Sequence, residues 1–124
     1  MLGSNKIIAF VCATDSKRAR AFYEGILGLR FVSDDQFALV LNGNGTMLRI
    51  AKLPELKPAQ FTVLGWETGE IEKTVEELIG KGIQFEKYSF LPQDDLGIWT
   101  APTGDKVAWF RDPDGNILSL SQHV

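Results

Sequence analysis

The chain has 124 residues, 44% of them hydrophobic, with 13 Lys and Arg against 16 Asp and Glu for a net charge of −3. These are the proportions of one ordinary globular domain. With no basic run, nucleic acid is not an expected partner. No apolar stretch approaches the roughly 20 residues a membrane-crossing helix needs, so a bilayer is not expected either. One cysteine, Cys12, and one histidine, His123, exclude an internal disulfide and make a His-rich metal centre or a Cys/His nucleophile pair hard to assemble. No secretory signal is visible near Met1, and a reducing cytoplasm is the expected compartment.

In chain order, Ile7 to Ala13 is a short apolar run of strand formers, closed by Thr14-Asp15-Ser16, a helix cap. Ala19, Phe22, Tyr23 and Ile26 then share one face of an amphipathic helix that ends near Gly25 to Gly28. Leu29 to Val32 reads as a second strand, and Phe37 to Leu41 and Thr46 to Ala51 flank the turn Asn42-Gly43-Asn44-Gly45 as a hairpin. The segment Leu53 to Pro58, with two prolines and no periodicity, is a linker between halves.

The order then repeats. Phe61 to Trp66 reads as a strand, Thr68 as a cap, and Ile71, Val75, Leu78 and Ile79 as one helical face closed by Gly80-Lys81-Gly82. Ile83-Gln84-Phe85 begins a further strand, and a second hairpin joins Val107 to Arg111 with Ile117 to Ser121 through Asp112-Pro113-Asp114-Gly115-Asn116. Ile8 falls on Val63 at an offset of 55, Leu29 on Ile83 at 54 and Gly45 on Gly115 at 70, which places about 16 extra residues between Glu86 and Pro102. That insertion carries Tyr88, Phe90, Gln93-Asp94-Asp95, Gly97 and Trp99, and its acidic triplet is expected to be a solvated loop.

The duplicated β-α-β-β-β order, Thr14-Asp15 before a helix bearing Ala21-Phe22-Tyr23, Leu27-Gly28-Leu29 after it, and the late Phe110-Arg111-Asp112-Pro113-Asp114-Gly115-Asn116 together resemble the vicinal oxygen chelate superfamily. That group holds glyoxalase I, bleomycin-resistance proteins and extradiol dioxygenases. The resemblance implies an α+β fold: two βαβββ modules, about residues 5–53 and 59–123 of a single domain, form a curled, mostly antiparallel sheet as an open barrel with helices outside. It also implies a ligand in the concave cavity and a homodimer. The metalloenzymes of the family take one ligand from the first and one from the last strand of each module. Carried over by motif, those positions are Ile8, Arg49, Val63 and Ser119, none of them His or Glu, so neither a metal nor any other cofactor is expected.

Strand alternation extends these four positions to an inward list of Ile8, Phe10, Cys12, Met47, Arg49, Ala51, Phe61, Val63, Gly65, Glu67, Val107, Trp109, Arg111, Ser119 and Ser121. Ile7, Ala9, Val11, Leu48, Ile50, Leu64, Trp66, Phe110, Leu118 and Leu120 then face the helices. The expected ligand-binding residues are Phe10, Met47, Arg49, Val63, Glu67, Trp99, Trp109, Arg111 and Ser119. Arg49 can fork onto a carboxylate or pair internally with Glu67, and Trp99 and Trp109 can stack on a planar ligand or pack as core. Glu67 is the one candidate general base, Cys12 reads as an inert thiol, and His123 as a frayed terminal residue.

Two functions follow from this reading. One is a bleomycin-resistance-like protein that binds a small planar or anionic organic molecule without metal. The other is a lyase, isomerase or dioxygenase of the same superfamily, metal-independent or with non-standard ligands.

Overall fold

The computed structural model describes all 124 residues. They form two compact units, Met1–Lys57 and Pro58–Val124, which part at the end of the proline-containing linker. The first unit runs β1 (Ile8–Ala13), α1 (Ser16–Arg20) continuing through π-helical turns at Ala21–Ile26, β2 (Arg30–Asp34), β3 (Ala38–Gly43) and β4 (Thr46–Lys52). The second runs β5 (Thr62–Glu67), α2 (Ile71–Gly80), β6 (Trp99–Thr100), β7 (Lys106–Arg111) and β8 (Ile117–Gln122). Each unit is a four-stranded mixed sheet, in the order β1-β4-β3-β2 or β5-β8-β7-β6. In each, the first strand lies parallel to the last and the other neighbours are antiparallel. The expected α+β class and twofold βαβββ order are both present.

Alternation gives each sheet a packed face toward its helix, while in β3 Ala38 and Val40 of the opposite face are buried as well. Val11, Ala13, Leu39, Leu41, Leu48 and Ile50 are buried in the first unit together with Phe22 and Tyr23 of the helical segment. In the second, Ala108, Phe110, Leu118 and Leu120 are buried with Ile71, Val75 and Leu78 of α2. Burying apolar side chains at roughly 25 cal/mol per Å² is the main force holding each helix to its sheet. Asp15 caps α1 as the sequence suggests, its carboxylate accepting from the backbone N–H groups of Lys17 at 3.0 Å and Arg18 at 3.2 Å. The Arg20 guanidinium lies 3.6 Å from the Phe31 ring centre and pins the segment to β2.

The two hairpins close differently. Between β3 and β4, Gly43 pairs with Thr46, leaving Asn44 and Gly45 as a two-residue turn with φ of 50° and 87°. Both lie in the left-handed region that Asn and Gly tolerate, the geometry that matches strand twist. Between β7 and β8, buried Asp112 organises a longer turn: its Oδ1 accepts from the N–H groups of Asp114 and Asn116, each at 2.9 Å, and its Oδ2 accepts from Asn116 Nδ2 at 2.8 Å.

Several expectations fail. Ile83-Gln84-Phe85 does not form a strand; the fourth strand of the second sheet is β6, from the insertion, and Phe85 instead packs its ring 5.3 Å from that of Phe110. Thr68 is not the α2 cap. The N-cap is Glu70, without a side-chain bond, and Gln122 of β8 accepts from the Ile71 N–H at 2.8 Å. Ile79 is 44% exposed rather than on the packed face, and Ile7, 79% exposed, precedes β1 and faces no helix.

Because Asp112 satisfies two buried donors of Asn116 and a part-buried one of Asp114, Asp112→Ala should cost about 1–3 kcal/mol for each buried donor left unpaired. Thermal or denaturant unfolding of the variant measures this. Stability equal to wild type would mean that the turn closes without that carboxylate.

Candidate functional site

Each sheet turns its second face away from the helix, and the expected ligand residues are distributed over these two faces. In the second unit, Trp109 of β7 and Trp99 of β6 lie with ring centres 6.2 Å apart and planes at 33°. Tyr88 meets Trp109 edge-on at 5.6 Å and 78°, and exposed Phe90 continues the row 5.5 Å from Tyr88. Trp66, by contrast, stacks on fully buried Phe110 at 6.4 Å, on the packed face as alternation requires. Trp99 and Trp109 are half-buried, with part of each indole open to an incoming molecule.

The insertion that carries this row is held by one side chain. Gln93 Oε1 accepts from the Tyr88 N–H at 2.6 Å, while its Nε2 donates to the carbonyls of Glu86 and Gly97, both at 2.8 Å. The expected solvated loop holds for Asp94 and Asp95, which are exposed, and fails for Gln93, which is half-buried. Gln93 is an internal brace, and Asp94 accepts from the N–H groups of Leu96 and Ile98 at 2.9 Å each, closing a turn. Lys87 adds Nζ bonds to the carbonyls of Asp94 at 2.9 Å and Asp95 at 3.3 Å. At the root of the arm, the Glu86 N–H donates to the Trp109 carbonyl at 2.8 Å, and its carboxylate takes the Arg111 Nε at 2.7 Å. Arg111 also donates to the Gly115 carbonyl at 3.0 Å, so it braces the aromatic arm rather than offering a free guanidinium. Burial, with the Glu86 charge beside it, pushes the Tyr88 phenol above its ordinary value and keeps it neutral.

β8 supplies small polar groups beside these rings. Ser119 pairs with Trp109 on one side and Gly65 on the other, and a Cβ at Gly65 would come within 2.8 Å of the Ser119 hydroxyl, so glycine is what lets that hydroxyl lie over β5. Val63 sits at a register irregularity between Thr62 and Leu64, which takes it out of simple alternation. Glu67 is exposed at the end of β5 and pairs with Ser121. His123 is not frayed: its Nε2 is 3.0 Å from the Ser121 hydroxyl and its Nδ1 3.4 Å from Asp105 Oδ2.

In the first unit, Phe10 is 62% exposed, Met47 is 37% exposed, and Arg49 lies in register with Phe10. Within its own unit Arg49 makes no ion pair. Its charge acts on Asp35, whose carboxyl is held below the ordinary range first by the N–H groups of Ala38 and Phe37 and further by Arg49 and Lys52.

The four positions that correspond to metal ligands do not fit a divalent ion. Ile8 and Val63 are aliphatic, Arg49 is a cation and Ser119 a neutral hydroxyl, and no group of three His, Cys, Asp or Glu side chains is placed to hold a metal ion. The site residues that sequence reasoning missed are Tyr88, Glu86 and Gln93. The aromatic density of the insertion hinted at the first, but a brace made by one amide side chain to three backbone groups leaves no pattern in sequence.

The comparisons with known proteins agree with this architecture. Residues 7–120 match the model of the Glyoxalase/Bleomycin resistance protein/Dioxygenase superfamily, and the chain belongs to that family. Among solved structures it is similar to a superfamily member from Sphaerobacter thermophilus, at 23% identity and TM-score 0.77 over 99% of this chain and 100% of that one. A lactoylglutathione lyase from Agrobacterium tumefaciens matches at 17% identity and TM-score 0.74 over 95% and 93%. TnmS3, an antibiotic binding protein from a Streptomyces species, matches at 20% identity and TM-score 0.68 over 98% of each chain. No curated protein matches the sequence.

If Gln93 is the brace, Gln93→Ala should lose about 0.5–1.5 kcal/mol per hydrogen bond removed and shift indole emission to the red as Tyr88 leaves Trp109. Gln93→Glu should do at least as much, since it sets a carboxylate against two carbonyl oxygens. Unchanged emission and melting temperature in both variants would show that the arm is held by other contacts.

Proposed function

We propose that this protein binds a small planar organic molecule on the aromatic face of its second unit, as a bleomycin-resistance-like member of its superfamily. The observation that carries the reading is the Trp99, Trp109 and Tyr88 row. Two half-open indoles and a neutral phenol stand on the sheet face opposite α2, braced by Gln93 and by the Glu86–Arg111 pair. A row fixed before the ligand arrives loses little conformational freedom on binding, and stacking adds about 0.5–1.5 kcal/mol beyond the area buried. Ser119, between Trp109 and Gly65, offers a hydroxyl to orient a polar edge. An antibiotic binding protein with the same fold at 20% identity supports the same use of it.

Arg49 is the proposed anion anchor on the face of the first unit. It is half-buried beside exposed Phe10 and Met47 and has no ion pair within its unit, the setting in which a guanidinium gains most from a carboxylate.

Titration with naphthoate, a planar anion, tests the two faces separately: tryptophan quenching follows binding on the second unit, and calorimetry of the Arg49 variant follows anion binding on the first. Trp109→Ala is expected to weaken binding about tenfold, the equivalent of one good stacking contact. Arg49→Ala is expected to weaken the anion by about 1.5–3 kcal/mol and the neutral naphthamide far less. Equal affinity of wild type and Trp109→Ala would remove the aromatic face from the site; equal affinity of Arg49→Ala would leave that residue a surface cation.

A further inference from the structure

At the far end of β8 the second unit brings together a serine, a histidine and an aspartate that the binding reading does not use. Ser121 lies in β8 and His123 just past its end at Gln122, and the two side chains meet. The Ser121 hydroxyl lies 3.0 Å from His123 Nε2, and the other ring nitrogen, Nδ1, faces Asp105 Oδ2 at 3.4 Å. Asp105 is itself fixed. Its Oδ1 accepts from the Val124 N–H at 3.0 Å and its carbonyl accepts from the Ala101 N–H at 2.7 Å, within the turn where Gly104 backs against Val124. The Val124 N–H, more than the His123 ring or the Thr103 hydroxyl, holds the Asp105 carboxyl below its ordinary range against the opposing effect of burial, so an anion faces Nδ1.

That order of atoms, carboxylate to Nδ1 and Nε2 to hydroxyl, is what activates a serine. The carboxylate fixes the tautomer that protonates Nδ1 and leaves Nε2 free to accept the hydroxyl proton. The sheet register also says what reaches it. Trp99, Val107, Ser121 and Glu67 form one rung across β6, β7, β8 and β5. An aromatic ring lying over Val107 against Trp99 is one strand spacing, about 4.8 Å, from Ser121. An ester carbonyl joined to that ring then falls over the hydroxyl.

We infer that Ser121, with His123 as base and Asp105 as the residue that orients it, is a nucleophile that takes the acyl group of small aryl esters. Ser121 Oγ bonds to the carbonyl carbon while its proton passes to His123 Nε2. The bond from that carbon to the aryl oxygen breaks, and the aryl oxide leaves with the proton from His123. Water then attacks the acyl-serine, His123 takes and returns a proton, and a carboxylic acid and free Ser121 result. Aromatic binding and nucleophile are separable: the nucleophile stands on the three residues alone, the preference for aryl esters on the binding reading.

The test is p-nitrophenyl acetate hydrolysis, followed by release of the coloured phenol and by peptide mapping of protein quenched in the first turnovers. Wild type is expected to release the phenol at least about a hundredfold faster than Ser121→Ala, the lower end of what general-base catalysis supplies, and to carry the acetyl group on Ser121. His123→Ala should fall to the Ser121→Ala rate. Asp105→Asn, which keeps an oxygen for the Val124 N–H but loses the charge, should acetylate Ser121 more slowly with its melting temperature little changed. Ser121→Cys keeps a nucleophile in the same place and should retain a burst, which separates loss of chemistry from loss of fold. Equal rates for wild type and Ser121→Ala, or acetyl found on lysines and never on Ser121, would overturn the assignment. Trp99→Ala should raise the p-nitrophenyl acetate concentration at half-saturation without abolishing Ser121 acetylation; no change there would overturn the aryl preference alone.

Discussion

A β-strand sends successive side chains to opposite sides of its sheet, and each sheet of this protein has a single helical segment to cover one side. Everything else depends on that constraint. It makes Leu48, Ile50, Phe110, Leu118 and Leu120 core and leaves Met47, Arg49, Trp109, Ser119 and Ser121 on the other face, in both units with the first strand parallel to the last. The packed faces have the composition of an interior. The second faces mix aromatic, charged and hydroxyl groups, which is a poor composition for a core and a good one for recognising a small molecule.

The second unit shows how a repeat acquires an individual character. In the first unit the strand after the helix is continuous with the chain leaving the helix, β2 pairing with β3. In the second, the corresponding stretch, Ile83 to Phe85, forms no strand, although the Glu86 N–H that follows it reaches the Trp109 carbonyl, and Trp99–Thr100 returns from the insertion to pair with Val107 and Lys106 at the other end of β7. The result is an aromatic arm laid along the sheet, held by the three backbone bonds of Gln93 and by the Glu86–Arg111 pair. The arm adds Tyr88 and Trp99 to a face that would otherwise carry Trp109 alone.

Much of this was legible in sequence because it rests on periodicity. Alternating apolar residues fix which face of β4, β7 and β8 is packed, Asn44-Gly45 fixes a tight hairpin, and Asp15 before an amphipathic run fixes a cap. The offset of 70 between the hairpins also located the insertion. What sequence could not give were contacts between residues distant along the chain or set by side-chain geometry. The strand propensity of Ile83-Gln84-Phe85 is not realised: the chain there makes one bond to β7, from the Glu86 N–H to the Trp109 carbonyl, and the fourth strand is β6 on Lys106 and Val107. Gln122, rather than Thr68, met the first helical N–H because β8 passes the start of α2. His123 at a strand end read as frayed until Asp105 and Ser121 were found at its two nitrogens. Of the candidate site residues, Trp99, Trp109 and Ser119 stand together on one sheet face, Arg111 is committed to Glu86, and Arg49, Phe10 and Met47 belong to the face of the first unit.

The face proposed to meet the ligand is the one opposite α2, not the packed one, and the three tryptophans report on the two faces separately. Trp99 and Trp109 stand on the open face, while Trp66 is stacked on buried Phe110. The indole N–H resonances of nitrogen-15-labelled protein, followed during addition of naphthoate, distinguish the two faces directly. Saturable shifts of the Trp99 and Trp109 resonances with Trp66 unmoved are the expected result. Shifts led by Trp66, or no movement of Trp99 and Trp109 at millimolar naphthoate, would contradict it.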